Sequence, residues 1–107
     1  MRELLLALTL LLPASFATAE PHAYPVPFIA KDSPDGKIHF TELPGACTIK
    51  IYTIAGEEVA GFSASPGEDP KDWPVTNSSG KKLATGIYFF IIDGDGRQTR
   101  GKLVVIR

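Results

Sequence analysis

The chain has 107 residues, with 11 lysines and arginines against 12 aspartates and glutamates and a formal net charge of −1. That balance, with no basic stripe or acidic block, argues against nucleic acid and anionic membrane as partners. One cysteine, Cys47, rules out an intramolecular disulfide, so the core must hold without covalent staples.

Arg2 precedes the apolar run 4–12, Pro13 ends it, and Ala17-Thr18-Ala19 supplies small residues where a signal peptidase reads. Residues 1–19 are therefore expected to be a cleaved export signal. The run is too short to cross about 30 Å of hydrocarbon as a helix, so no transmembrane anchor is expected. The mature chain, about 88 residues from Glu20, suffices for one domain and not for two.

Residues 20–37 form a Pro-rich lead-in with Pro21, Pro25, Pro27 and Pro34 and little periodicity. Tyr24, Phe28 and Ile29 are the side chains that could tack it to a domain spanning 38–107. Ser33-Pro34-Asp35-Gly36 reads as a turn, proline fixing φ and glycine accepting a positive one. Ile38 and Phe40 then alternate with Lys37, His39 and Thr41, a half-buried strand that leaves His39 solvated.

Residues 47–54 alternate again. Cys47, Ile49 and Ile51 share one face, where the thiol acts as a small hydrophobe, and Thr48, Lys50 and Tyr52 share the other. Ala55-Gly56 reverses the chain into 57–63 and makes a hairpin. Val59 and Phe62 differ in parity, which requires either a bulge at Gly61 or an outward Phe62. The turn-rich stretch 65–71 delivers Trp73, the one tryptophan, which reads as a core plug. Asp69 and Asp72 read as a solvated loop pair, Asn77-Ser78-Ser79-Gly80 as a turn, and Lys81-Lys82 as solvated.

The run Gly86-Ile87-Tyr88-Phe89-Phe90-Ile91-Ile92 reads as the central strand. Six consecutive apolar residues leave no polar face, so the strand is either covered on both sides or carries an apolar outer face that something else must cover. Asp93-Gly94-Asp95-Gly96 closes a hairpin into the last strand, 101–107. Calcium would need a later acidic ligand, and Arg97-Gln98-Thr99-Arg100 follows instead, so no metal or other cofactor is expected.

These pieces together carry a resemblance. Tyr24-Pro25-x-Pro27-Phe28, Ile38-x-Phe40-x-x-Leu43-Pro44 and Ile49-x-Ile51-Tyr52-x-Ile54-x-Gly56-x-x-Val59 resemble the opening half of the FlgD-type immunoglobulin-like domain. Trp73, Asn77, Gly80, Leu83-Ala84-Thr85-Gly86-Ile87-Tyr88 and Gly101-Lys102-Leu103-Val104-Val105 resemble its closing half and the related C-terminal sorting domain of type IX secretion. The resemblance implies an all-β, immunoglobulin-like (fibronectin III-like) antiparallel sandwich of about seven strands, bacterial and non-catalytic, with Trp73, Gly86 and Tyr88 as its core signature. It also implies recognition by outer-membrane secretion machinery at the last strand, where Lys102 and Arg107 are the candidate contacts. Val26 stands where the family usually has asparagine, Pro74-Val75 where Asp-Gly is common, and no cargo domain separates the leader from the sandwich.

The expected function is thus that of an exported module, in the periplasm, on the cell surface or outside, acting through protein contacts. A small glycan-binding domain using Trp73 with Tyr52 or Tyr88 is the alternative, and a structural subunit or remnant of a larger surface protein is another. No base, nucleophile and orienting group can be assembled from these residues, so no enzyme is expected.

Overall fold

The computed structural model describes residues 19–107, and the expected export signal lies outside them except for Ala19. Eight strands follow one another: β1 (His22–Tyr24), β2 (Phe28–Ile29), β3 (Ile38–Thr41), β4 (Cys47–Thr53), β5 (Glu58–Ala64), β6 (Lys71–Trp73), β7 (Gly86–Gly94) and β8 (Arg97–Ile106). They form a three-stranded sheet, β1-β3-β6, and a five-stranded sheet, β2-β8-β7-β4-β5. The two sheets make an immunoglobulin-like β-sandwich. All pairings are antiparallel except that of β2 with β8, which is parallel and joins Phe28 to Val105 and Ile29 to Ile106. The lead-in thus contributes one short strand to each sheet, β1 to the small one and β2 to the large one.

Alternation along β4 and β7 builds the core. Cys47, Ile49 and Ile51 face inward from β4, and Tyr88, Phe90 and Ile92 from β7. Leu103 and Val105 of β8 join them, opposite Ile38, Phe40 and Trp73 of the small sheet. Phe40 is the hub: its ring meets Phe90 edge-on at 5.4 Å and lies 5.8 Å from Phe62 and 6.2 Å from Trp73. Such aromatic pairs contribute roughly 0.5–1.5 kcal/mol each beyond their area, which matters in a small domain without a disulfide. Cys47 is a free, buried thiol, and desolvation first, with Asp69's charge adding, raises its pKa, keeping it protonated and unreactive.

The β7–β8 hairpin turns on Asp95 and Gly96 alone, with φ of 54° and 70°. Two successive positive φ values define the turn whose twist matches that of the strands. The β4–β5 hairpin resolves the parity of Val59 and Phe62 in a way that neither sequence alternative anticipated. The register slips where Ile51 pairs with Ala60 and Tyr52 with Glu58, so Val59 itself is the extra residue. Phe62 consequently points inward, where it stacks on Trp73 at 5.8 Å and 24°. The bulge frees the Val59 carbonyl, which accepts the Ser78 N–H at 2.9 Å and docks the 77–80 turn on the sheet edge.

Two carboxylates, Asp69 and Asp72, and the histidine expected to be solvated are instead engaged. Asp69 accepts Thr41 Oγ1–H at 2.8 Å and the Leu43 N–H at 3.0 Å, tying the 65–71 loop to the end of β3. His39 is half-buried between Asp72 (Nδ1 to Oδ1, 2.7 Å) and Asp35 (Nε2 to Oδ2, 3.1 Å). The Lys37 N–H holds the Asp35 carboxyl below its ordinary 3.8, against some desolvation and helped by His39 and Ser33. Because the folded value is depressed, this turn's contribution is present above that ordinary value and lost as the pH falls below it.

Val75 departs from ordinary backbone. It is fully buried, yet its φ is +58°, a region that costs a side chain with a Cβ roughly 1–2 kcal/mol. This is the position where the resembling family commonly places glycine. At an ordinary buried strand position such as Val105, glycine is expected to be worse than alanine by about 0.5–1 kcal/mol. At Val75 relief of strain offsets that, so Val75→Gly is expected to be at least as stable as Val75→Ala. Urea midpoints of the four variants check the inversion, and the same order at both sites would refute the strain.

Candidate functional site

The residues singled out from sequence fall into two groups. Trp73 is 4% exposed, with its indole N–H donating to the Thr76 carbonyl at 3.2 Å, so neither ring face is available to stack on a sugar. Tyr88 is buried, and its hydroxyl donates to the Ala84 carbonyl four residues upstream at 2.8 Å, a local arrangement like the tyrosine corner of immunoglobulin-like sandwiches. Gly86 opens β7 opposite Val105. These three belong to the packed interior and its margin.

Lys102 and Arg107 both lie toward the end of the chain, but they do different things. The Arg107 side chain, at an exposed position, folds back onto the chain: Nε donates to the Leu83 carbonyl and Nη2 to the Val75 carbonyl at 3.0 Å. Its backbone N–H donates to Thr85 Oγ1 at 2.9 Å, and the guanidinium sits 5.7 Å from the centre of the Phe28 ring. Arg107 therefore clasps the 75–85 connection to β8 and β2. Arg107→Ala is expected to cost about 1–2 kcal/mol by leaving the Leu83 carbonyl without that donor. A melting temperature equal to that of the parent would show the clasp to be idle.

Lys102 instead stands on the outer face of the five-stranded sheet, opposite Phe89 in register. Among the described residues no second layer covers that face. Ile87, Phe89 and Ile91 form its middle column on β7, flanked by Tyr52 and Lys50 of β4 and by Val104, Lys102 and Arg100 of β8. Phe89 is 40% exposed, Ile87 43% and Ile54 68%. Among the described residues, four of the six exposed large apolar side chains, these three and Ile106, lie at this face. A shallow groove of about 640 Å³ crosses it, lined by Tyr52, Ile54, Phe89, Ile91, Arg100 and Lys102 among others.

Of the two alternatives for the central strand, the apolar outer face is the one adopted. The sequence signal was the six-residue apolar run itself. Tyr52, Ile54 and Arg100 could be added to the site only once pairing was known, because they come from neighbouring strands.

Among the described residues no helix is long and apolar enough to cross a membrane. Ser78 and Ser79 lie in the 77–80 turn, with Ser78 Oγ directed to the Val59 carbonyl at 3.4 Å. The Asp72 carboxylate is engaged by His39.

These features define an all-β, immunoglobulin-like sandwich with one apolar sheet face left open. No family model matches the chain, and no curated protein does. Among solved structures it is similar to PorZ of Porphyromonas gingivalis, described as an essential bacterial surface component of the type-IX secretion system. The TM-score is 0.67 at 21% identity, over 81% of this chain and 11% of that one. It also matches dimeric latent PorU of P. gingivalis, with a TM-score of 0.49 at 19% identity, over 80% of this chain and 9% of that one. The chain thus spans about a tenth of the length of the structures it matches.

Proposed function

We propose that this chain is a non-catalytic module of the bacterial envelope or cell surface that works through protein contact in a type IX secretion setting. The observation that carries the reading is the open apolar face of the five-stranded sheet. A folded domain leaves such a patch exposed chiefly where another surface is meant to cover it. The FlgD-type and sorting-domain resemblance of the sequence supports it, as does the likeness of the fold to part of PorZ. Burial of Trp73 disfavours the glycan-binding alternative. The contacts already made by Ser78 and Asp72 disfavour an enzyme.

Fractionation of the tagged protein in its native host, with the type IX outer-membrane machinery intact and disabled, tests the proposal. Arrival at the surface only in the intact host is expected. Retention in the periplasm in both would sink the type IX assignment. For any sorting role of β8, Lys102→Ala is the informative variant, because Arg107 is committed to the fold.

A further inference from the structure

The outer face is not merely apolar; the two charged residues that line its groove are both cations. In the row of Phe89 the neighbours are Tyr52 on β4 and Lys102 on β8, and in the row of Ile91 they are Lys50 and Arg100. Lys50 has a partner, Glu58, at 3.9 Å. Among the described residues Lys102 and Arg100 have no ion-pair partner; Arg100 Nη2 only donates to Gln98 Oε1 at 3.2 Å. The acid nearest in register, Asp93, lies one row beyond, opposite Thr48 and Gln98. Two cations therefore border one long side of the apolar column, and both line the groove.

We infer that this face docks a segment of a partner protein whose aliphatic or aromatic side chains are bordered by carboxylates. The apolar side chains would cover Tyr52, Ile54, Phe89 and Ile91, and the carboxylates would meet Arg100 and Lys102. The inference rests on the protein-contact reading and adds the chemistry of the partner. Partly desolvated charges bordering an apolar contact select partner and orientation more than they add affinity. The arginine fork is suited to a carboxylate in two-point contact. A second copy of this chain is the poorer occupant. It would bring the same two cations to the interface, and of its acids on this face Glu58 is already engaged by Lys50 and Asp93 stands one row beyond the groove rather than in it.

The test uses the exported protein, purified and isotope-labelled, with two short peptides as probes: one alternating leucine with glutamate, the other leucine with lysine. Amide shifts confined to β4, β7 and β8 are expected with the glutamate peptide, at an affinity about tenfold or more above the lysine peptide, narrowing as salt is added. The double variant Arg100→Glu, Lys102→Glu, both at exposed positions, should reverse the preference with the fold intact. Equal binding of the two peptides, no binding of either, or shifts elsewhere would overturn the inference. So would concentration-dependent self-association through this face, or uptake by phosphatidylglycerol vesicles without peptide binding. Failure here leaves the fractionation result standing, so the partner's chemistry and the secretion setting are judged separately.

Discussion

Tyr88→Ala is expected to lower the unfolding free energy by about 3–5 kcal/mol, the usual cost of removing a buried aromatic ring. The ring stands in the inward row of β7 with Phe90 and Ile92, 8% exposed, and its hydroxyl holds the Ala84 carbonyl at the entrance to the strand. Small domains have roughly 5–15 kcal/mol in all, so such a loss removes much of the margin. Tyr88→Phe separates the two contributions: it keeps the ring and loses only the hydrogen bond, at about 1 kcal/mol. Urea titrations of both variants read the difference. An unchanged midpoint for Tyr88→Ala would place the ring at the surface and overturn the inward assignment of the whole β7 row.

Features written in short-range pattern were legible from the chain alone. Alternation placed Cys47, Ile49 and Ile51 on one inward face because a strand repeats every two residues. Asp93-Gly94-Asp95-Gly96 announced a short hairpin, since Asp-Gly pairs tolerate positive φ values; the structure turns on the second pair alone, and β7 extends to Gly94 and β8 back to Arg97 rather than starting at 101. The parallel pairing of β2 with β8 was not legible. Two residues directly after Pro27 carry no period, and the partner strand lies more than seventy positions away. The bulge was misplaced for a related reason. Glycine at 61 offers backbone freedom, but the register slips at Val59, whose freed carbonyl is held by Ser78 from a distant turn.

The polar contacts show the same division. Ser33-Pro34-Asp35-Gly36 could be read as a turn because its bonds are local: the Gly36 N–H to Ser33 Oγ at 2.8 Å and the Lys37 N–H to Asp35 at 3.0 Å. Asp69 and Asp72 looked solvated because their partners, Thr41, Leu43 and His39, are brought to them by the pairing of β3 with β6. Of the candidate site, the apolar run of β7 and Lys102 were named from the sequence, and the place of Arg100 and Lys102 beside that run was not. Arg100 and Lys102 flank Ile91 and Phe89 only through the β7–β8 register.

Gly101→Ala is expected to cost about 2 kcal/mol or more, although it adds a single methyl group. A Cβ at Gly101 would overlap Cζ and Cε2 of the Phe90 ring and lie 3.2 Å from Cε1. The two residues are paired across β7 and β8, so the ring lies directly over the glycine. Phe90 has nowhere to retreat, because Phe40 meets it edge-on at 5.4 Å in the centre of the core. Overpacking of this kind is relieved only by strained rotamers or backbone shifts, typically at 1–3 kcal/mol.

Gly86→Ala is the matched control on the facing strand. An added methyl there would rest 3.7 Å from the Tyr88 ring, an ordinary contact, so it should stay within about 0.5 kcal/mol of the parent. Phe90→Leu supplies the cause. If the ring is what excludes the methyl group, Gly101→Ala should cost less in the Phe90→Leu background than alone, a favourable coupling readable in a double-mutant cycle. Additive costs would mean that Gly101 is required for its backbone rather than for the room it leaves above β8.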